Sequence, residues 1–284
     1  MQSLLRNEKF YGYYAIVKPV FTTYMFELKK QRIKFFAFSL VGIAFLFLLN
    51  YLPYLLIPEN PLPVTQIEFF EIFIGLSTLL IIFGCCFFFA PIICNEFGKK
   101  MGYITFPIIN KYKLIIGKYL GALTLMTGVL FIFYFSLAIL GIYYYGLPVN
   151  IRYVYSFGIC LLHMLAVSAL ITFFSSFMKN VNITIVTTLL LLLIGIGIVD
   201  TLIILYYRDF EPIYSLAHNR KLVSYIMEKD FPTTREERYE KIEARGFTWY
   251  NWYTPSIEMA ITIFLTYTGV CLALASIIFS RRQL

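Results

Sequence analysis

Asp200 stands in the run IGIGIVDTLIIL and His163 in ICLLHMLAV, so each puts an ionisable group among apolar neighbours. A carboxylate in such surroundings needs a partner, a water-filled cavity or a proton. Both residues are therefore candidates for a solute pathway. The plainer alternatives are interfacial solvation for Asp200 and a hydrogen bond to a neighbouring helix for His163. Catalysis at a membrane surface would call for clustered His, Asp or Glu. The two histidines, His163 and His218, fall in different compartments of the topology derived below, so a membrane-embedded enzyme is the least favoured class. Cys85, Cys86, Cys94, Cys160 and Cys271 lie in or at the ends of apolar runs and read as small apolar packers. No His or Cys partners have the spacing of zinc ligands, so no metal site is expected. The GKYL at Gly117 lacks the Ser or Thr and the glycine spacing of a phosphate cradle, so the chain is not expected to hydrolyse ATP itself.

The elements that must position these groups follow from composition. With 60% hydrophobic residues, 14% charged residues and a mean hydropathy of +0.74, the chain has too little polar surface for a water-soluble globule of its length. A bilayer core about 30 Å thick takes roughly 20 apolar helical residues per crossing. Six windows of that kind recur, at about 35–56, 69–94, 114–145, 153–177, 181–205 and 257–279. Helices satisfy their own backbone in lipid, so the expected fold is an all-α polytopic membrane protein with six transmembrane helices. Gly141, Gly195 and Gly197 are expected to permit close helix packing.

Lysine and arginine set the orientation. If the N-terminus is cytoplasmic, the inside segments hold fifteen basic residues, and the short outside connections hold only Arg152. Both termini are therefore placed in the cytoplasm of a multi-pass protein of the cell membrane. Residues 1–34 form a cytoplasmic N-terminus. From Pro19 onward, Phe21, Tyr24, Met25 and Leu28 recur at helical steps ahead of Lys29, Lys30 and Arg32, the pattern of an interfacial amphipathic helix. Residues 35–205 carry helices one to five, and 257–284 carry helix six and a basic tail. Residues 206–256 form an extracellular insertion with one amphipathic helix marked by Ile213, Leu216, Arg220, Val223 and Met227. A second helix is expected to start at the capping box TREE, Thr234 to Glu237, and to end at Gly246. The FTWYNWY stretch that follows offers Trp249, Tyr250, Trp252 and Tyr253 as an interfacial aromatic belt, an outer gate or a dock for an extracellular partner.

The stretch NEFGKKMGYITFPIINKYKLIIGKYLGA, from Asn95, then becomes the main cytoplasmic connection, with a short coupling helix expected at about 95–113. Its five lysines alone would suit a positive-inside anchor. Glu96, Phe97, Lys99, Lys100, Gly102, Phe106, Pro107, Ile108, Gly117, Lys118 and Tyr119 say more, because in that order the stretch resembles the helix two to three signature of ABC transporter permeases of the second exporter class. Gly98 departs from the usual second acid and Met101 from the usual threonine. The resemblance extends over the whole chain, to the tail FSRRQL, and takes in permeases of the multicopper-enzyme-maturation and drug or sodium exporter groups. It implies that a separate ATP-binding subunit, carrying ATP and magnesium, docks on Glu96, Phe97, Gly98, Lys99, Lys100, Met101, Gly102 and Tyr103. It also implies a homodimer of permease chains around a shared pathway, with no cofactor on this chain and no nucleic acid among its partners. On that reading Glu96→Lys should uncouple the ATPase while leaving insertion intact. The alternative is an ion-gradient-driven secondary transporter, which would favour several buried carboxylates and an inverted repeat.

Overall fold

The computed structural model describes residues 2–56, 63–98, 109–207, 210–244 and 247–282, with side chains for 17–49, 63–97, 109–207, 210–242 and 250–282. Six of its helical stretches are long and apolar enough to cross a bilayer: Val17–Leu49, Gln66–Phe97, Lys111–Tyr145, Arg152–Phe177, Val181–Tyr206 and Ile257–Arg281. We number these spans one to six. They support a membrane protein, in agreement with the hydropathy pattern.

Short polar side chains start several spans. Thr65 accepts a hydrogen bond from the Glu68 amide at 3.3 Å, and Glu68 reaches back to the Val64 amide at 3.2 Å. Asn110 and Asn180 each accept from the amide two residues on, at 3.0 and 2.9 Å, and begin spans three and five. Span two is the most enclosed, with 67% of its most apolar window buried, against 11% for span five. Phe69, Phe70, Ile81, Phe88 and Phe89 of span two meet Phe133 of span three and Phe264 of span six in one core.

Lipid is as apolar as a leucine side chain, so small residues and interhelical hydrogen bonds carry more of the association than in water. Tyr119 and Ser168 hydroxyls meet at 2.9 Å, Cys86 and Thr188 at 3.3 Å, and the Tyr153 hydroxyl donates to the Tyr134 carbonyl at 2.5 Å. All five cysteines are buried. Gly141 packs directly under the Phe70 ring, as expected of it. Gly195 instead has only Leu190 and Leu191 of its own span nearby, and Gly197 has open space. Leu191–Gly195 is a π-helical segment inside span five, so these glycines adjoin a helix irregularity, not a helix contact.

Three expectations need correction. First, no break separates an interfacial helix from the first span: one helix runs from Gln2 to Leu56. Phe21 and Met25 are exposed, as an apolar face turned to lipid would be, while Thr23, Glu27 and Gln31 are buried. The reason is close approach. Gly117 and Gly121 of span three have no side chains to hold the helix off, so Thr23 and the Glu27 stem settle on them. A Cβ on Gly117 would stand 2.7 Å from the Val20 carbonyl oxygen. Gly117→Ala is therefore expected to destabilise the fold by about 1–3 kcal/mol. A melting temperature in detergent unchanged from the parent would contradict this packing.

Second, the fold is not wholly α. Where the second helix of the insertion was expected, Glu236–Arg238 forms a single 3-10 turn, and β1 (Tyr239–Ala244) pairs antiparallel with β2 (Phe247–Trp252), Ala244 opposite Phe247 and Tyr239 opposite Trp252. The run FTWYNW is rich in residues that suit a pleated surface, Tyr239 and Ile242 supply such residues to YEKIEA, and two residues separate the runs, which favours a hairpin over a helix. The TREE glutamate still caps as expected: Glu237 accepts from the Thr233 and Thr234 amides at 3.0 and 3.3 Å. Those two bonds hold its carboxyl below the usual carboxylate value. Charged Glu237 therefore favours the folded turn at neutral pH, and that contribution fades as pH falls through the lowered value. The Thr233 and Thr234 amide resonances should titrate with a midpoint below that of an ordinary glutamate; a midpoint at or above it would rule out the cap.

Third, the predicted amphipathic helix over 213–227 is two one-turn helices, Leu216–Asn219 and Leu222–Tyr225. Leu216, Val223 and Met227 are buried as the spacing implied. Between the two turns the backbone tightens to i→i+3 bonds, Lys221 to His218 and Val223 to Arg220, while Ser156 of span four donates to the Val223 carbonyl at 2.6 Å.

Candidate functional site

The ends of spans two to six that meet Lys111 and Arg282 form the more tightly built pole of the molecule. Pro91 follows Ala90 and divides span two into Gln66–Phe89 and Pro91–Gly98. The Ser175 hydroxyl of span four enters this break. It accepts from the Ile93 and Cys94 amides at 3.3 and 3.1 Å and donates to the Ala90 carbonyl at 2.6 Å. A side chain inserted into the helical ladder satisfies backbone groups that a break would leave bare. Cys94 ties the same turn to spans four and five through the Ser175 and Met178 carbonyls and the Thr184 hydroxyl.

One turn further, Glu96 is 2% exposed and pairs with Lys118 of span three, itself 6% exposed. Glu96 thus faces the bundle, where it forms an internal ion pair. Two charges out of water are tolerated only as a close pair, since either alone would be far costlier. Phe97 packs edge-on against Phe279 of span six, with ring centroids 5.6 Å apart, and the Arg282 guanidinium lies 3.9 Å from its centroid. Arg282 also donates to the Ser176 and Met178 carbonyls at 2.9 and 3.0 Å, and its own carbonyl accepts from Lys111 at 3.1 Å. Burial pulls the Arg282 pKa down from its usual value. Lys99, Lys100, Met101, Gly102 and Tyr103 lie outside the described residues, and Gly98 is described by its backbone alone. Their connection departs from a turn anchored to four other spans.

At the opposite pole Asp200 accepts from the Ser215 hydroxyl, and that hydroxyl caps the Leu216–Asn219 turn by accepting from the Ala217 and His218 amides at 3.1 and 3.2 Å. Tyr214 lies beside it with its phenol pushed up to about 12, first by burial and then by the Asp200 carboxylate. Tyr267 of span six donates to the Tyr214 carbonyl at 3.0 Å. Asp200 is thus a fastener for the insertion. His163 is 2% exposed, its ring 5.6 Å from that of Phe264 and its Nδ1 without a hydrogen bond. It borders a void of about 10 Å³ with Leu216, Ala217 and Arg220. A void of that size barely admits a water. Both residues abut the same short turn.

The aromatic stretch is built into the hairpin. Trp252 is 3% exposed, meets the Tyr239 ring at a tilt with centroids 4.9 Å apart and takes the Arg235 guanidinium at 5.5 Å. Lys221 donates to its carbonyl at 2.6 Å. Tyr250 meets the Tyr239 ring at 4.8 Å, and Tyr253 bonds Glu240 while lining an open cleft of about 870 Å³ with Arg152, Tyr225, Glu228 and Phe231. The Trp249 side chain lies outside those described. Sequence reasoning did not single out Ser175, Lys118 as partner of Glu96, or Glu211, which joins Arg238 at 2.9 Å and His218 at 3.6 Å. The small polar residues Thr172, Ser175 and Ser176 within an apolar run were the one signal that could have flagged Ser175.

Compared with models of protein families and with curated proteins, the chain matches none of them.

Proposed function

We propose that this chain is the permease subunit of an ATP-driven exporter, of the second ABC exporter class that its helix two to three connection resembles. On this reading both termini are cytoplasmic in the cell membrane, two such chains pair, and a separate ATP-binding subunit with its ATP and magnesium docks on the connection 99–108. The observation that carries the reading is the anchoring of that connection: the turn before it is fastened to spans three, four, five and six through Lys118, Ser175, Thr184 and Phe279. A push delivered there reaches the whole bundle as a rigid displacement, which a two-state gate requires. The short helices and hairpin of 210–252 then serve as an outer cover, held to span five by Asp200.

A secondary transporter is the second reading, and Glu27 favours it. This carboxyl is 1% exposed; its Oε1 accepts from Gln31, while its Oε2 has no hydrogen bond and lies 3.5 Å from Lys30. Enclosed against Gly121 of span three at the edge of the membrane, this carboxyl is placed to take up a proton or cation at the mouth of the bundle. Purification decides between them. Extracted in mild detergent, the chain should retain a vanadate-sensitive ATPase in stoichiometric amount; substrate movement by the chain alone on an ion gradient would reject the exporter.

A further inference from the structure

Spans one and two lean together at the level of Phe38, whose ring lies 5.6 Å from that of Phe87, and enclose an apolar groove of about 340 Å³ above it. Phe38, Gly42 and Phe45 form one wall and Leu79, Phe83 and Phe87 the other, with Phe133 of span three at the floor. The volume falls within the usual range of small-ligand sites. A basic group closes one end: Lys34 donates to the Phe87 carbonyl at 2.8 Å, and Lys29, Lys30 and Arg32 are exposed on the turns before it.

Length and charge together select an occupant. From Lys34 to Phe45 the helix climbs about 16 Å, at 1.5 Å per residue, which is about half of a 30 Å hydrocarbon core. A cluster of lysines and arginine at the start of a span marks the lipid boundary. The groove therefore begins at headgroup level and ends near the midplane, the reach of one acyl chain in one leaflet. The geometry points to a binding site for a phospholipid with an anionic headgroup, its phosphate at Lys34 and one tail between spans one and two. This site does not depend on the exporter reading. Gly42 keeps the floor open: a Cβ there would meet Leu80 at 3.4 Å and Phe133 at 3.5 Å, so a large side chain would occupy the tail's place.

Tryptophan quenching by brominated lipid tests this. Leu79→Trp puts a reporter in the groove, with Phe83→Trp as a second. Leu40→Trp, on the exposed face of span one, reports bulk lipid within about 3 Å of the depth of Phe83. Each is reconstituted in phosphatidylcholine vesicles doped with acyl-brominated phosphatidylglycerol, and the signal of the parent, with Trp249 and Trp252, is subtracted. The groove reporters should reach half-quenching at about fivefold lower mole fraction than Leu40→Trp, the advantage expected of one lysine near the surface. Lys34→Gln should remove the preference for the anionic lipid, and Gly42→Phe should remove it with Lys34 in place. Brominated phosphatidylcholine should show no such difference. Equal half-quenching of groove and control reporters, or a preference that survives Lys34→Gln, would overturn the proposal. Groove reporters quenched by neither lipid would also overturn it, and would assign the groove to a second copy of the chain.

Discussion

Glu96→Gln is expected to lower the melting temperature of the detergent-extracted chain by about 10 °C, corresponding to a loss of about 3–5 kcal/mol. The substitution keeps the volume of the side chain but leaves the Lys118 ammonium, 6% exposed, without its counter-charge. Desolvation that the pair offset is then uncompensated. Lys118→Met alone should cost a similar amount, since it takes the paired ammonium from the buried carboxylate. The double variant Glu96→Gln with Lys118→Met should recover most of the loss, because a neutral amide beside a thioether leaves no buried charge. A single variant as stable as the parent would show that the two groups are solvated, and a double variant no better than the singles would deny that they act as a pair. The charge-reversed Glu96→Lys would place two ammonium groups in one buried site. It is therefore expected to fail in folding, not to give the clean uncoupling read from the sequence.

The second large effect is expected at Ser175. Ser175→Val preserves shape closely but removes a hydroxyl that serves two amides and one carbonyl at the Pro91 break. Each buried backbone group left without a partner costs about 1–3 kcal/mol, so the sum is about 3–6 kcal/mol, moderated by any local shift that restores a bond. Ser176→Val is the matched control. Its hydroxyl donates only to the Phe173 carbonyl of its own helix, at 2.7 Å, and its loss should cost less than about 1 kcal/mol. Thermal unfolding of both variants in the same detergent measures the difference. If they unfold together, Ser175 is not the fastener of span two.

Much of the bundle was legible because lipid imposes a simple rule: about twenty apolar residues per crossing, whatever their order. Six windows in the sequence match six helices in the structure, and the caps at Thr65, Asn110 and Asn180 stand where the windows begin. On the N-terminal helix Phe21 and Met25 are exposed, as a lipid-facing side must be, while Thr23 and Glu27 meet Gly117 and Gly121, a contact no local spacing marks. The hairpin at 239–252 was hidden for a different reason. Its sequence carries a helix-starting box and a helix-stopping glycine, while the pairing that favours strands is set by Tyr239 and Trp252, thirteen residues apart. The candidate site was legible as a segment but not as contacts. Glu96 meets Lys118 across 22 residues, and Ser175 meets Cys94 across 81. No local spacing encodes such pairs.

The central claim is that the connection 99–108 sits on the cytoplasmic side and receives force from a nucleotide-binding subunit. Site-specific photocrosslinking from Tyr103 in native membranes tests it most directly, with Tyr250 in the hairpin as the opposite-side control. A probe at Tyr103 is predicted to capture an ATP-binding protein, with a yield that changes on adding ATP and vanadate, while a probe at Tyr250 captures none. Labelling of a cysteine placed at Tyr103 by a membrane-impermeant reagent from outside intact cells would contradict the account.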